Sequence, residues 1–437
     1  MARKSSGKIL AIFLIVIFAI SSLSAVFSMF RGGALQRADL LIVYDSATKK
    51  TAQELAKFFE NAYNLTVRLL PASDLRVKFR AYPVVLLGPG FDRRKLLVSG
   101  LAAFIVRGPR GAPMLPYELT AQLAAQLAAH ASLNTTPYHF LVNATLYIVE
   151  GESPVARINK TLFPRLMPAI VSLASSVFAA RVGYSVAVLT PEEAAKQGIP
   201  VDTLSVLPAF VAKSSANLTQ GTMSVVPLGN GFYTLKPQVQ LRIDDLLSQA
   251  GLITGYERAL QPPNVTGLIR YGSTAAPVKA VIYWDYLCPF SAMFAKSTLP
   301  QLVKEADKGL VTLYFADLII HPQAFKLHRY AHCVYQKYGA KKFIEYSLDA
   351  FNAVILGYAQ NMTRLASFEE KLARKYNVTN CNANINADDA ERLGVRGTPT
   401  VVIWGKKYKR LIFIVGVRPA DVYIETFKWL AGASKRG

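Results

Sequence analysis

The sequence predicts an α/β protein with two related domains in tandem. Each is a mixed sheet with helices on both faces and a helical insertion, and one N-terminal membrane-spanning helix precedes the pair. Three observations lead there. An apolar run from Val278 to Trp284 ends in Asp285-Tyr286-Leu287-Cys288-Pro289-Phe290-Ser291 and passes into a helix-like stretch over 292–306. A fainter series of strand, helix and strand segments precedes it in the same order, starting at Leu41-Ile42-Val43-Tyr44-Asp45. Residues 9–30 carry no charge and are mostly Ile, Leu, Phe, Val and Ala.

The uncharged segment comes first in the chain. Twenty-two residues at 1.5 Å rise span about 33 Å, enough for a bilayer core. A secretory signal usually has a shorter apolar region, roughly 7–15 residues, although Ser22 and Ser24 leave cleavage as the alternative. Arg3, Lys4 and Lys8 stand before the segment, so the positive-inside rule keeps the N-terminus in the cytoplasm and everything after Arg31 outside. The expected location is the cell membrane, single-pass, with the bulk of the chain outside the cytoplasm. Of 15 Asn, eight begin an Asn-x-Ser/Thr triplet: Asn64, Asn134, Asn143, Asn159, Asn217, Asn264, Asn361 and Asn377. Roughly two would arise by chance, so the excess points to an exported chain with glycosylation candidates. The apolar stretch 166–180 is only 15 residues long between Arg165 and Arg181 and contains Pro168, so it is a buried helix rather than a second span.

The net charge of +22 and pI near 9.8 would favour nucleic acid if the basic residues were organised for it. They are scattered, with clusters at 93–95, Lys406-Lys407-Tyr408-Lys409-Arg410 and Lys435-Arg436, and no nucleic-acid motif accompanies them. In an exported chain such charge serves solubility or contact with anionic lipid head groups and acidic glycans. Nucleic acid is not an expected partner.

About 400 exported residues exceed one ordinary core. Residues 38–251 are expected to form a cysteine-free degenerate copy, 252–275 a linker, and 276–437 the domain with Cys288, all behind the anchor and tip at 1–37. In the first copy the strand ending at Asp45 precedes a helix over 51–62 and a strand over 65–70. These parallel the strand ending at Asp285, its helix and the strand over 311–315. Further on, Leu207-Pro208-Ala209-Phe210-Val211 parallels Thr398-Pro399-Thr400-Val401-Val402, and Leu235-Lys236-Pro237 parallels Val417-Arg418-Pro419. The first copy is longer in its centre, which holds the Gly/Pro-rich 107–116 and an Ala/Leu/Gln helix over 117–131. The linker carries Gln261-Pro262-Pro263-Asn264 and Gly272-Ser273, turn and breaker residues.

Cys288 stands at the start of a helix, where unpaired N–H groups and the helix dipole favour thiolate over thiol. Ser291 occupies the position of the second sulfur in a Cys-x-x-Cys pair. A thiolate without that neighbour attacks a disulfide and is held as a mixed disulfide, because it has no ring of its own to close.

The second half resembles the DsbA-like branch of the thioredoxin superfamily. Five pieces match in order: Asp285-Tyr286-x-Cys288-Pro289-Phe290; His321-Pro322; Cys333 followed by Lys342-Phe343; Cys381; and Gly394-Val395-Arg396-Gly397-Thr398-Pro399-Thr400. The resemblance covers about residues 276–433 and implies a thioredoxin-like fold for both copies. It makes Pro399 the cis-proline that packs against the active-site sulfur and holds a substrate backbone, with Thr398 before it. Two departures agree with each other. Ser291 replaces the resolving cysteine, and Ile282 stands where the family carries a buried acid that serves that second thiol. The resemblance also implies a structural disulfide between Cys333 and Cys381, leaving Cys288 free; the competing assignment has Cys333 resolving Cys288.

The expected catalytic residues are therefore Cys288, Ser291 (holding the thiolate by a hydrogen bond), Pro399 and Thr398, with Pro289, Phe290 and Tyr286 as substrate contacts. No cofactor and no metal is expected. His328 and His332 have a zinc-like spacing but lack the glutamate and a third ligand, so they belong to packing or surface. Gly88-Pro89-Gly90 is a turn rather than a phosphate loop, and His321 is a helix start near the active face. The expected function is membrane-anchored, extracytoplasmic thiol–disulfide exchange, as isomerase or monothiol capture, on cysteine-containing exported clients with an external thiol or redox partner. The alternative is a non-enzymatic binding or envelope-assembly module that keeps the fold.

Overall fold

The computed structural model describes residues 38–91, 100–134, 136–385 and 389–433. The apolar segment 9–30 and its basic flank lie outside these residues, as do the clusters at 93–95 and 435–436. Among the described residues no helix is long and apolar enough to cross a membrane.

The chain opens with β1 (Leu40–Tyr44), α1 (Lys49–Tyr63) and β2 (Val67–Pro71), followed by β3 (Ala81–Tyr82), β4 (Val84–Leu87), β5 (Val106–Arg107), β6 (Pro113–Met114) and α2 (Tyr117–His130). Leu40 to Val43 are all buried, the continuous apolar run of a strand covered on both faces. α1 buries Thr51, Ala52, Leu55, Ala56 and Phe59, one stripe at helical spacing, and ends on Asn64 in the left-handed region. β1 lies parallel to β2 and antiparallel to β4, in the sheet order β2-β1-β4-β6-β5.

There follow β7 (His139–Phe140), β8 (Asn143–Val149), α3 (Phe163–Phe178), β9 (Arg181–Val182), β10 (Ala187–Leu189), α4 (Pro191–Lys196), β11 (Val206–Leu207), β12 (Ala209–Lys213), β13 (Val225–Gly229), β14 (Phe232–Leu235) and α5 (Pro237–Gln249). A second sheet has the order β10-β8-β12-β14-β13, with β9 beside β8. The two landmarks that the sequence places in one copy therefore belong to two sheets: Asp45 follows β1 and Pro208 precedes β12. The peptide bonds Tyr82-Pro83 and Leu207-Pro208 are both cis, so each of these sheets has a cis-proline leading into one of its strands.

The last part comprises β15 (Tyr256–Arg258), β16 (Ile269–Tyr271), β17 (Val278–Trp284), α6 (Pro289–Ser297), α7 (Leu299–Asp307), β18 (Val311–Asp317), α8 (Phe325–Ala350), α9 (Asn352–Ile355), α10 (Met362–Lys375), α11 (Ala390–Leu393), β19 (Thr400–Gly405), β20 (Leu411–Val415) and α12 (Ala420–Ala433). The single helix expected over 292–306 breaks at Thr298, just ahead of Pro300, whose ring and missing N–H do not fit a helix interior. The sheet order is β11-β15-β20-β19-β17-β18-β16. β17 runs parallel to β18 and antiparallel to β19, which pairs antiparallel with β20. Residues 252–275, expected as a linker, supply β15 and β16 to this sheet. Tyr256 stacks on Phe413 with ring centroids 5.3 Å apart, and Ile269 and Tyr271 are buried. Their short alternating runs are hidden in sequence by the breakers around them.

By contact the chain divides into two compact units. Of the described residues, the first unit takes those up to Ile148 with Pro164–Leu189 and Phe210–Val239, and the second takes Val149–Phe163, Thr190–Ala209 and those from Gln240 on. In the first unit the buried Arg80 guanidinium donates to the carbonyls of Phe178 and Ala179 (both 3.3 Å) at the C-terminal end of α3, and to those of Leu218 (3.2 Å) and Gln220 (2.8 Å). It lies 5.0 Å from the centre of the Tyr117 ring. In the second unit Cys333 on α8 is bonded to Cys381, with Cα atoms 6.0 Å apart and a sequence separation of 48.

Arg80→Met is expected to lose about 3 kcal/mol of stability, since it strips four carbonyls of one charged donor. Replacing Cys333 and Cys381 together by Ser releases the loop between them, with an expected loss of about 4 kcal/mol in the chain-entropy account. Urea unfolding of each variant against the parent checks both.

Candidate functional site

β17 is anchored at its C-terminal end by Trp284, whose ring lies 4.9 Å from that of Phe315 and 5.2 Å from that of Phe351. The chain then turns through Asp285-Tyr286-Leu287 into Cys288, the N-cap residue of α6, with Pro289 in the first turn where a missing N–H costs nothing. Each of the four N–H groups along this turn has a partner. Asp285 N donates to Ser291 Oγ (3.4 Å), Tyr286 N to His328 Nε2 (3.4 Å), Leu287 N to Asp285 Oδ1 (2.7 Å) and Cys288 N to the Asp285 carbonyl (3.0 Å). The loop after β18 joins the same carboxylate: Ile320 N and His321 N each donate to Asp285 Oδ2 at 2.7 Å, and His321 Nδ1 lies 3.0 Å from it. Asp285 is fully buried and the His321 side chain is half-exposed.

The Cys288 thiol donates to the Thr398 carbonyl oxygen at 3.3 Å. The Thr398-Pro399 bond is cis, and Pro399 leads into β19. Strand pairing brings the two together, since β19 runs beside β17 with Thr400 opposite Tyr283. Cys288 is 7% exposed and is the free cysteine of the described chain. With Cys333 and Cys381 bonded to each other, neither stands as a thiol to resolve it. The buried hydroxyl of Thr398 has no hydrogen-bond partner among the described residues.

Pro289 and Phe290, which follow the thiol in sequence, are exposed, and so are Met293 on the next turn of α6, Ile320 and Phe325. Two sequence-derived roles do not fit the geometry. Tyr286, expected as a substrate contact, is fully buried, with its hydroxyl 2.7 Å from Ser347 Oγ, because the turn points it inward against Trp284 and His328. Ser291, expected to hold the thiolate, is also fully buried and accepts from the Asp285 backbone instead.

Beneath the turn lies a cluster whose role the sequence did not disclose. Asp317 closes β18 opposite Trp284 in the parallel register. Its Oδ1 lies 2.5 Å from His328 Nδ1 and its Oδ2 2.5 Å from His332 Nε2. Because His328 Nε2 accepts from Tyr286 N, its proton sits on Nδ1 and points to Asp317. The histidine spacing was legible, but the carboxylate that occupies both rings comes from another element. Among the described residues no cluster of His, Cys, Asp and Glu could hold a metal ion. Burial pushes the Asp317 carboxyl up, but the hydrogen bonds from His328 and His332 outweigh it and hold it at about 2.

A depressed carboxyl contributes stability that is present above its unfolded value, near 3.8, and is lost as pH falls through its folded value of about 2. Asp317→Asn is therefore expected to cost about 3 kcal/mol at neutral pH. The stability difference between parent and variant should close between about pH 4 and pH 2. Urea unfolding at stepped pH measures it.

Comparison with known proteins places this geometry. Residues 264–414 match the family model described as Thioredoxin. No curated protein matches the chain. Among solved structures, Wolbachia pipientis alpha-DsbA1 is 15% identical, covering 40% of this chain and 96% of that one at a TM-score of 0.29. Oxidised BdbD from Bacillus subtilis is 18% identical, covering 39% and 96% at a TM-score of 0.27. Pseudomonas aeruginosa DsbA2 is 19% identical, covering 40% and 97% at a TM-score of 0.26. The residues matched by the family model, 264–414, hold both the Cys288 turn after β17 and the cis-Pro399 turn before β19, and over that part the chain is similar to the thioredoxin family.

Proposed function

We propose that the second unit carries out thiol–disulfide exchange on cysteine-containing proteins through Cys288. The observation that supports this most is the contact of the Cys288 sulfur with the backbone of a cis-proline turn, at a helix start whose flanking residues Pro289, Phe290 and Met293 are exposed. In the forward step the Cys288 thiolate attacks a client disulfide. An S–S bond forms between Cys288 and one client sulfur, and the other client sulfur leaves as a thiolate. A second client thiolate then attacks the mixed disulfide, forming a new client disulfide and returning the Cys288 thiolate. The cycle isomerises with no net oxidation; where no client thiol is in reach, the mixed disulfide persists as capture. The Thr398 hydroxyl, without a partner among the described residues, is suited to holding an extended client segment beside the sulfur.

The same proposal places the unit outside the cytoplasm, anchored by the segment 9–30. All eight sequon asparagines are exposed, and a structural disulfide belongs to an oxidising compartment. The second reading, a binding module that keeps the fold, is favoured by the low exposure of Cys288.

Cys288→Ala separates the two. Incubated with a disulfide-scrambled test protein and a small thiol, the parent is expected to restore native pairing and to yield a mixed disulfide at Cys288 in a non-reducing mass map. The variant is expected to fall to the blank rate. If the variant rearranges disulfides as fast as the parent, or no adduct forms on Cys288, the exchange reading fails and the docking reading stands.

A further inference from the structure

β17 and β19 each have two ends, and the thiol occupies only one of them. At the other, Lys279 near the start of β17 faces Trp404 near the end of β19 as direct cross-strand partners, and the chain leaves β19 at Gly405 into Lys406-Lys407-Tyr408-Lys409-Arg410 before β20. Lys279 precedes Trp284 by five positions along β17, so this end lies about 17 Å from the thiol end by strand rise. A cavity of about 460 Å³ opens there, lined by Lys279, Lys406, Lys409, Trp404, Tyr408 and Leu411, with the loop at Leu260 to Pro262 as its far wall.

The walls are held from behind. Arg392 donates to the carbonyls of Gln261 (3.2 Å) and Pro262 (3.1 Å) and to Asp389 (2.9 Å), and Asp389 in turn accepts from Asn264 N (2.7 Å). The Tyr408 hydroxyl donates to Glu257 Oε2 at 2.5 Å, and its ring packs edge-on against Trp429 with centroids 5.0 Å apart. Glu257 is itself fully buried, receives Ser153 N at 2.6 Å, and is pushed up in pKa by that burial. It steadies the tyrosine and does not line the cavity.

The charge balance of the cavity is one-sided. Three ammonium groups line it and no carboxylate does. None of the three lysines has a hydrogen bond or ion pair with its side chain among the described residues. Elsewhere on the protein surface lysines do find carboxylates: Lys57 with Glu54, Lys308 with Glu305, Lys375 with Asp349. Like charges gathered in one concavity repel, and an anion there relieves all three at once. The volume falls within the range of small-ligand sites, and the indole, the phenol ring and Leu411 supply an apolar wall beside the cations.

We propose that this cavity binds an organic anion carrying at least two negative charges next to an apolar or aromatic body, independently of Cys288. Two sources share that chemistry, a soluble dianion and the phosphorylated headgroup of an anionic lipid. Lys279, Lys406 and Lys409 supply the charge and Trp404 the flat face.

The test uses the full chain and two probes: naphthalene-1,5-disulfonate, followed by tryptophan fluorescence, and phosphatidylcholine vesicles with and without phosphatidylglycerol, followed by co-sedimentation. The triple variant Lys279→Gln, Lys406→Gln, Lys409→Gln is expected to weaken binding by about tenfold or more, the equivalent of one charged hydrogen bond. A control with the same charge change elsewhere, Lys304→Gln, Lys341→Gln, Lys371→Gln, is expected to bind as the parent does. Variant-sensitive binding of the disulfonate alone assigns a soluble anion, and variant-sensitive binding to the phosphatidylglycerol vesicles assigns a lipid headgroup. Equal loss in both triple variants, or no binding of either probe by the parent, overturns the site and leaves a solvated basic surface. Circular dichroism and the exchange rate at Cys288 should be unchanged in the cavity variant, which separates failure of this site from failure of the thiol chemistry.

Discussion

The turn between β17 and α6 depends on a carboxylate that has been taken out of water. Asp285 is fully buried, and a buried carboxylate is tolerable only when nearly every lone pair is used. Here the users are backbone N–H groups from two loops, Leu287 on one side and Ile320 and His321 on the other. The dependence is mutual, because those N–H groups would otherwise be orphans. The position of the thiol, one residue beyond Leu287, follows from this closure, as does the path of the chain into the half-exposed His321.

A second buried acid stands beside the first. β17 and β18 are parallel and in register, so their ends coincide, and Asp317 sits across from Trp284 just below the turn. Its two histidines come from successive turns of α8, and one of them also caps Tyr286 N. The first unit shows a simpler version of the same device. Asp45 follows β1, Thr48 at the N-cap of α1 donates to its carboxylate at 2.8 Å, and His139 Nδ1 lies 2.6 Å away. Thr48 follows Asp45 by three residues, as Cys288 follows Asp285. A hydroxyl that bonds inward takes the place of a sulfur that bonds toward a cis-proline turn, so the geometry persists where the thiol chemistry is absent.

The strand orders reinforce that correspondence. β2-β1-β4-β6 and β18-β17-β19-β20 share one pattern, a parallel neighbour on one side and two antiparallel strands on the other, with a cis-proline before the third strand and a helix after the fourth. In the first sheet that pattern closes with α2, well before Pro208. Of the strands after it, β8, β9, β10, β12, β13 and β14 form a sheet of their own, and this is the physical reason for the extra length between Asp45 and Pro208.

Local pattern was enough to reveal much of the second unit. The apolar run of β17, the helix that follows the Pro289 turn and the strand over 311–315 depend on periodicity and on residues whose preferences are strong by themselves. Its place at a helix start singled out Cys288, and the resemblance to the DsbA-like branch singled out Pro399. What pattern left hidden were relations between distant segments. β15 and β16 are three residues each and gain their strand character only from the neighbours they pair with. His328 and His332 are packing residues or ligands according to what faces them, and Asp317 faces them only after the sheet has formed. Tyr286 and Ser291 point inward because the turn is pulled closed by Asp285. The lysines at 279, 406 and 409 share a cavity because antiparallel pairing sets the start of one strand against the end of another. Sequence by itself determined the strongly patterned elements and which residues carry reactive groups, because those are local properties of side chain and spacing. Only the tertiary structure decided which groups meet, since burial and hydrogen bonding across the sheet are set by register and not by neighbours along the chain.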